Sequence, residues 1–417
     1  MKLNNFKYIV VLMFILSAPS LLMSLLAYKI GINNTIYDIL LMGSVVFLGV
    51  SLPKSAYLEN NQKNLLYFYI IILLYLLIIW NVGVFMSGSR RAIFKYFLTA
   101  PFLIYILNSR SFSLPKFIKY YLFAAFILSL LSIIQFVGVP LGLISLSKNP
   151  LRADLNDSFV GIGGFWGQLE NSDTVGFLSR NIGFFSEPTN FAQFLMVPMF
   201  LVAYRTFYIG EKSKKNKFFF ITIVIAFILT FSVANFFGLL VGLAIFFALR
   251  ISNKYYSKRG LKKAGQIAFF TGLLFVGYQF YTITNSYSRT ENIIGKRTGS
   301  NIDNRIGRNA VYFNRIVEKP FGDIDYKKEF QMATGFIGNI AIVGGYPMLI
   351  IVILFIITYI SKIYFVAKQS KYLLIYIGLF AYLVPAIWDA HLYEYQFIFI
   401  LVFYNILLKY DKHNLQI

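Results

Sequence analysis

The segment from Leu65 to Phe85 reads LLYFYIIILLYLLIIWNVGVF and contains no charged side chain. A transmembrane α-helix needs about 20 mostly apolar residues, because it must cross a hydrocarbon core of ~30 Å. Comparable apolar segments lie near 8–28, 36–52, 65–85, 92–107, 119–139, 189–208, 218–234, 236–250, 266–284, 334–360, 372–388 and 394–409. The sequence therefore predicts an all-α polytopic membrane protein of about 12 transmembrane helices.

The composition of the 417 residues supports this class, since 58% are apolar and only 13% are charged. A soluble domain has about 25% charged residues, so this chain has more apolar surface than a soluble core could bury. The net charge of +22 would suggest nucleic acid as a partner of a soluble protein. Here many basic residues cluster between apolar segments, which points to membrane orientation and not to nucleic acid.

The chain has no cysteine, which excludes disulfides, cysteine–zinc sites and a thiol nucleophile. Its two histidines, His391 and His413, argue against a site built from several histidines. We therefore expect neither a metal nor a cofactor.

Lysine and arginine are concentrated in loops on the cytoplasmic side of membrane proteins. In this chain they recur in alternate connections, at Lys54, Lys63, Arg110, Lys116, Lys119, Lys212, Lys214, Lys215, Lys217, Lys254, Lys258, Arg259, Lys262, Lys263, Lys362, Lys368, Lys371, Lys409 and Lys412. This pattern predicts an inner-membrane protein with both termini in the cytoplasm. Lys2 to Tyr28 is then an uncleaved first span and not a signal peptide.

Two connections on the predicted outer side, 140–187 and 285–333, are too long to be simple turns. Loops of this length are usually functional or disordered. Because both contain aromatic residues, glycines and charges, we expect them to contain short helices and to pack on the membrane domain. The predicted layout is helices 1–5 in 1–139, the first loop in 140–187, helices 6–9 in 188–284, the second loop in 285–333, and helices 10–12 with a cytoplasmic tail in 334–417.

The first loop ends in RNIGFFSEPTN, residues 180–190. Ser186 suits a helix cap and Pro188 suits the first turn of a helix. Glu187 would then lie beside the positive end of the helix dipole. One interpretation is that Glu187 only caps the helix and pairs with Arg180. The other is a functional pair, which the position at the membrane boundary favours.

The second loop predicts a basic amphipathic helix from Arg305 to about Lys319, capped by Asn304 and ended by Pro320 and Gly322. At ~100° per residue, one stripe of this helix contains Arg305, Arg308, Tyr312, Arg315 and Lys319. The opposite stripe contains Ile306, Ala310, Phe313 and Val317, and Lys296 and Arg297 lie just upstream. Such a helix either rests on lipid head groups or binds phosphate. Because positive charge is normally avoided on the outer side, phosphate is favoured, and a lipid-linked diphosphate is the obvious ligand.

Two further candidates are weaker. His391, between Asp389 and Glu394, could act as a general base, but a solvated histidine is the simpler interpretation. Trp166, in the glycine-rich stretch 161–167, could stack on a sugar, but an interfacial anchor is again the simpler interpretation.

The stretch 180–188 resembles the R-x-x-G-x-F-x-E-P signature of Wzy-type O-antigen and capsular repeat-unit polymerases, with Arg180, Gly183, Phe185, Glu187 and Pro188 in the signature positions. The second loop is similar to the O-antigen ligase/polymerase loop, in which an arginine precedes Pro-x-Gly at a fixed distance. Its counterparts here are Arg305, Pro320 and Gly322. The tryptophan often found four positions after that arginine is Asn309 in this chain.

The resemblance implies a metal-independent glycosyltransferase of GT-C type. It would transfer a glycan from undecaprenyl diphosphate to the non-reducing end of another lipid-linked repeat unit. Arg180 and Arg305 would bind diphosphate, and Glu187 would orient an arginine or the acceptor. The expected partners are the undecaprenyl-diphosphate-linked oligosaccharide, membrane lipid, a chain-length regulator of Wzz type and a flippase of Wzx type. From the residues themselves, the substrate-binding candidates are Arg297, Asn304, Arg308, Tyr312, Arg315 and Trp166.

Three other functions stay open at this point. An O-antigen ligase shares the fold and the donor, but ligases commonly have a His-Asn pair where this chain has Gly338-Asn339. A flippase or other transporter of lipid-linked oligosaccharide explains cations along a path, but not their concentration in one outer loop. A membrane scaffold would carry out no chemistry.

Overall fold

The computed structural model describes residues 3–17, 34–51, 58–80, 88–138, 141, 143, 146–148, 158–162, 165–175, 178–181, 185, 188–209, 213–230, 232–253, 317–322, 336–388 and 395–413. Within these ranges, the helices that we number α1 to α11 are Leu3–Ser17, Asn34–Ser51, Asn60–Trp80, Gly88–Asn108, Leu114–Gly138, Pro188–Ala203, Lys214–Leu229, Val233–Ser252, Phe336–Gln369, Leu373–Trp388 and Tyr395–Lys412. Helix α6 continues as a π-helix, Tyr204–Ile209.

These helices coincide with all but one of the predicted apolar segments, and the remaining segment, 266–284, lies outside the described residues. Four described helices are long and apolar enough to cross a membrane: Asn60–Ile79, Leu114–Gly138, Thr189–Ile209 and Val343–Gln369. Five shorter described helices are also apolar. The helical membrane class is therefore supported, whereas the number of 12 spans stays a prediction.

The outer surface of α3 shows why this helix belongs in lipid. Tyr67, Ile71, Leu74 and Ile78 follow one another at helical spacing, and each is at least half exposed. Leu65, on the same helix, is buried in the core. A contiguous exposed apolar face of this kind is unfavourable in water and is stable against hydrocarbon tails.

Small residues let the central helices approach closely. A Cβ atom on Gly238 of α8 would lie 2.4 Å from the carbonyl oxygen of Ala381 in α10, and one on Gly242 would lie 2.9 Å from the Ala381 Cβ. Helix α10 also meets α6, where a Cβ on Gly378 would lie 3.1 Å from Phe200. Glycines spaced four apart commonly allow such contacts between membrane helices. They place α10 in the core, between α6 and α8.

Hydrogen bonds bring several helix ends together at one end of the bundle. Asn253, which follows α8, donates to the carbonyl of Ser370 between α9 and α10 at 2.9 Å. Asn405 of α11 donates to the carbonyl of Asn61 in α3 at 3.0 Å. We call this region the lysine-rich end, after Lys362, Lys368, Lys371, Lys409 and Lys412. Because α8 and α9 both end here and contact each other, both begin at the opposite end.

The described part of the first large loop forms an antiparallel sheet, which corrects the prediction of short helices in 140–187. Its strands, in the order β1-β2-β3-β4, are Leu146–Lys148, Ser158–Ile162, Phe165–Val175 and Leu178–Asn181. The two residues between β2 and β3 are Gly163-Gly164, a pair typical of two-residue hairpin connections. This local signal for strands was present in the sequence, and the helical interpretation overlooked it.

Candidate functional site

Two of the predicted site residues lie in the sheet of the first loop. Arg180 is in β4, where the register pairs it with Glu170 of β3. Trp166 is in β3, opposite Gly161 of β2. The other predicted site residues lie outside the described part of the chain, so that their roles stay predictions: Glu187, Arg297, Asn304, Arg305, Arg308, Tyr312, Arg315 and His391.

Phe185 anchors the end of the first motif to the membrane helices. Its side chain is 1% exposed and stacks on Phe191 of α6, with 5.1 Å between ring centroids. A second ring of α6, Phe194, lies 5.2 Å away. Aromatic pairs add about 0.5–1.5 kcal/mol to the free energy gained from burial. Phe185 therefore fixes the chain two residues before Glu187.

Pro188 is the first residue of α6, as the sequence predicted. Proline suits this position because its missing N–H would have no partner within the helix. Phe185 thus anchors the chain on one side of Glu187, and α6 begins at Pro188 on the other side.

Asn235 joins the beginning of α8 to the beginning of α6. The side chain is fully buried, and its amide nitrogen donates to the carbonyl of Thr189 at 3.1 Å and to the Ser232 hydroxyl at 2.8 Å. Its amide oxygen is also buried and has no hydrogen-bond partner among the described residues. From the sequence alone, residues 232–235 suggest only a polar turn between two short apolar segments. The signal available in the sequence was an asparagine between two apolar segments. A polar side chain in such a place is costly unless it makes hydrogen bonds or has a function.

The end of the second loop is anchored on α9. Val317 and Glu318 are helical, and the N–H of Gly322 then donates to the carbonyl of Lys319 at 3.0 Å, which forms a turn. The described helical residues thus end before Pro320, and the predicted basic helix upstream of Val317 lies outside the described residues. The carbonyl of Pro320 accepts a hydrogen bond from the N–H of Tyr346 in α9 at 2.9 Å.

Glycine is required on both sides of this contact. Gly322 has φ +97° and Gly345 has φ +63°, in the left-handed region that side chains disfavour. A Cβ on Gly345 would lie 2.0 Å from the Pro320 carbonyl oxygen, and one on Gly322 would lie 2.6 Å from the Val343 carbonyl oxygen. The Pro-x-Gly turn and the kink of α9 can therefore pack together only if residues 322 and 345 are both glycine.

A third helix supports the same point. The hydroxyl of Tyr75 in α3 donates to the carbonyl of Gly344 at 2.5 Å, immediately before the kink. This carbonyl is otherwise poorly placed, because the non-helical backbone at Gly345 interrupts the helical hydrogen bonds. The turn, the kink and α3 thus meet at one place.

The contacts that anchor the first motif, around Asn235, and the second motif, around Gly345, lie at the same end of the bundle. Asn235 lies near the start of α8 and Gly345 lies in the first part of α9, and these two helices end together at the lysine-rich end. The anchors of the two motifs, which are far apart in sequence, are therefore both opposite the lysine-rich end. We call the region around them the motif end.

No protein-family model, curated protein or solved structure matches the chain. The resemblance to the repeat-unit polymerases therefore depends on the sequence motifs and the predicted layout alone.

Proposed function

We propose that this protein polymerises undecaprenyl-diphosphate-linked oligosaccharide repeat units into O-antigen or capsular polysaccharide on the outer face of the bacterial inner membrane. The protein would be a GT-C-like, metal-independent glycosyltransferase with about 12 spans. The observation that carries the proposal is the anchoring of both motif segments at the same end of the bundle, opposite the lysines.

In the proposed reaction, a hydroxyl oxygen of the acceptor repeat unit forms a bond to the anomeric carbon of the donor glycan. The bond from that carbon to the diphosphate oxygen breaks, its electron pair leaves with undecaprenyl diphosphate, and the hydroxyl proton passes to water, directly or through a protein base. The protein must stabilise the negative charge that develops on the leaving diphosphate. Fixed cations do this best, and each well-placed donor contributes about 10²–10³-fold in rate.

The proposal gives the residues separate tasks. Arg180 and Arg305 bind the diphosphate, with Arg297, Arg308 and Arg315 as further cations. Glu187 orients an arginine or the acceptor. Tyr312, Asn304 and Trp166 contact the glycan or hold the loop that does so. His391 is the remaining candidate for a proton acceptor.

The anchors support these tasks by limiting movement. Phe185 and Asn235 fix the start of α6 beside Glu187, and the Pro320 carbonyl fixes the turn that follows the basic helix. Groups that are held in place before the reaction avoid the loss of entropy that otherwise slows a reaction between two bound substrates.

The first test replaces Arg180 or Arg305 by alanine in a strain without the wild-type gene. We expect each variant to attach mostly single repeat units, because charge on the leaving diphosphate is no longer stabilised. The glycan is displayed on a gel, and protein level is measured in the membrane fraction. The control is Arg110→Ala, which changes an exposed arginine near the lysine-rich end.

The outcomes separate the proposed function from its rivals. Normal long chains in the Arg180 and Arg305 variants, at normal protein level, would contradict a catalytic role for these arginines. Wild-type chains that stay on the lipid carrier would indicate a ligase. Helix α9 includes Gly338-Asn339 and no histidine, which favours the polymerase over the ligase. Repeat units trapped on the cytoplasmic side would indicate a flippase.

A further inference from the structure

A large cavity opens at the lysine-rich end, away from the motif end. It has a volume of about 1050 Å³ and lies between the end of α9, the end of α11 and the residues around the start of α3. It is lined by Glu59, Asn60, Asn61, Lys362, Phe365, Val366, Lys368, Gln369, Lys371, Leu408, Lys409, Asp411, Lys412 and His413. None of these residues belongs to the proposed catalytic site.

The cavity is strongly cationic. Five of its lining residues are lysines and only two are carboxylates, so that three positive charges remain in excess with His413 neutral. One carboxylate, Glu59, is already engaged by His413 at 2.8 Å and by Lys412 at 3.6 Å. Lys362 donates to the side-chain amide oxygen of Asn61.

Two of the lysines, Lys368 and Lys409, have no such partner among the residues that the structure describes. The described residues offer neither Lys368 nor Lys409 an ion pair, although the two lysines belong to different helices that border the same concave space. Lysine ammonium groups that converge on one space repel each other unless an anion lies between them. The cavity is therefore suited to an anionic group that several ammonium groups contact at once.

One wall of the cavity continues into an exposed apolar face of α9. Ile350, Leu354, Ile357 and Phe365 are each more than half exposed. At ~100° per residue these side chains and Lys368 lie within about 80° of one another on the helix. In the most apolar 18-residue stretch of α9, only 22% of the residues are buried within the protein. A ligand with its anionic group in the cavity can therefore extend an apolar chain along α9.

We propose that this cavity binds the phosphate head group of an anionic phospholipid, whose acyl chains lie along the exposed face of α9. Lysine ammonium groups bind phosphate as point charges. Basic pockets at the ends of membrane helices bind the head groups of anionic lipids. The exposed apolar face favours a lipid over a soluble phosphate compound. The proposal does not depend on the catalytic function, because the cavity and the motif end are at opposite ends of the bundle.

Asp411 is the second carboxylate of the cavity, and its negative charge lowers the net positive charge of the lining. This residue follows the predicted span 394–409, and burial raises the pKa of its carboxyl above the ordinary value, an effect that the Ser370 hydroxyl and Lys371 partly oppose. An asparagine in this place is expected to be tolerated, because it has nearly the same shape and keeps a side-chain oxygen that can accept the hydrogen bond from the Ser370 hydroxyl. Asp411→Asn increases the charge excess from three to four and should strengthen anion binding.

The experiment measures lipid binding to the full chain in a non-ionic detergent by native mass spectrometry. Phosphatidylglycerol is compared with phosphatidylcholine that has the same acyl chains. In Lys368→Gln/Lys409→Gln we expect the affinity for phosphatidylglycerol to fall roughly 30-fold, because each lysine near an anionic lipid contributes a factor of about five. Lys368→Arg/Lys409→Arg should retain most of the affinity, and Asp411→Asn should raise it about fivefold.

The matched control is Lys214→Gln/Lys217→Gln, which removes two exposed lysines from α7 outside the cavity. An equal loss of affinity in this control would show only diffuse attraction by basic loops and would overturn the proposal. Equal binding of the two lipids to the wild-type protein would also overturn it. Inorganic pyrophosphate is added as a competitor. The lipid proposal fails if the affinity for pyrophosphate depends on Lys368 and Lys409 but the affinity for the lipids does not. The cavity is then a site for soluble phosphate.

Discussion

Asn235 is a single side chain that joins the starts of two helices. Its amide nitrogen is the described hydrogen-bond partner of the Thr189 carbonyl, next to the first motif. Asn235→Ala removes this bond between the two helices and leaves the buried Ser232 hydroxyl without the donor that Asn235 supplies. Unpaired buried polar groups cost about 1–3 kcal/mol each.

We therefore expect Asn235→Ala to lower the thermal midpoint of the protein in detergent and to shorten the glycan chains made in cells. The first readout reports stability, and the second reports the position of the motif. The control is Thr358→Ala, which removes an exposed hydroxyl that bonds only within its own helix. An unchanged chain length in Asn235→Ala would show that Asn235 does not position the motif.

Gly345 provides a second prediction at the level of a residue. Its φ of +63° and the 2.0 Å approach of a built Cβ to the Pro320 carbonyl oxygen leave no space for a methyl group. The left-handed conformation alone costs a non-glycine residue about 1–2 kcal/mol, and the displaced turn adds to this. Gly345→Ala should detach the Pro-x-Gly turn from α9.

Limited proteolysis of Gly345→Ala should show faster cleavage in residues 285–333 than in the wild-type protein, together with reduced polymer. Gly43→Ala is the matched control, because a Cβ at Gly43 meets nothing within 4 Å. Equal cleavage of the two glycine variants would mean that the turn does not depend on the kink.

At the level of elements, the sequence signals for the helices were strong, the signal for the loop sheet was weak, and the contacts between helices had none. Charge-free apolar segments as long as Leu65–Phe85 allow few structures other than a helix, because the backbone must satisfy its own hydrogen bonds in lipid. Three of the four strands of the sheet have five residues or fewer, and its clearest signal in the sequence is one glycine pair, Gly163-Gly164. The start of α6 at Pro188 and the turn after Glu318 followed from local rules for helix ends.

The parts of the candidate site that could not be predicted from the sequence depend on tertiary contacts. The bond from Asn235 to Thr189 joins residues of different helices, and so does the bond from Tyr75 to Gly344. Neither pair has a periodic spacing that a sequence could display. The polar residues themselves stood out within apolar segments, but their partners could not be assigned before the helices were packed together.

For the whole molecule, the proposed orientation predicts which residues face the outside. The chain has no cysteine, so a single introduced cysteine is the only thiol available for labelling. Val317→Cys changes a side chain that is 70% exposed at the end of the second loop. Ser213→Cys changes an exposed residue before α7 whose side chain makes no cap hydrogen bond.

A membrane-impermeant maleimide should label Val317→Cys in intact spheroplasts and Ser213→Cys only after the membrane is opened. The cysteine-free parent protein shows the background. The reverse pattern would place the motif end in the cytoplasm, and the proposed polymerase would then be excluded together with the ligase.

The kink at Gly345 also divides the length of α9. A straight helix of its 34 residues would extend about 51 Å, which exceeds the ~30 Å hydrocarbon core. The part after the kink, Tyr346 to Gln369, measures roughly 36 Å and is long enough to cross a bilayer without the rest. The first part, Phe336 to Gly344, is thereby released from crossing the bilayer and can follow the membrane surface. In the proposed orientation, the two helical parts on either side of Gly345 would thus supply a transmembrane span and a short helix at the depth of the lipid-linked diphosphate.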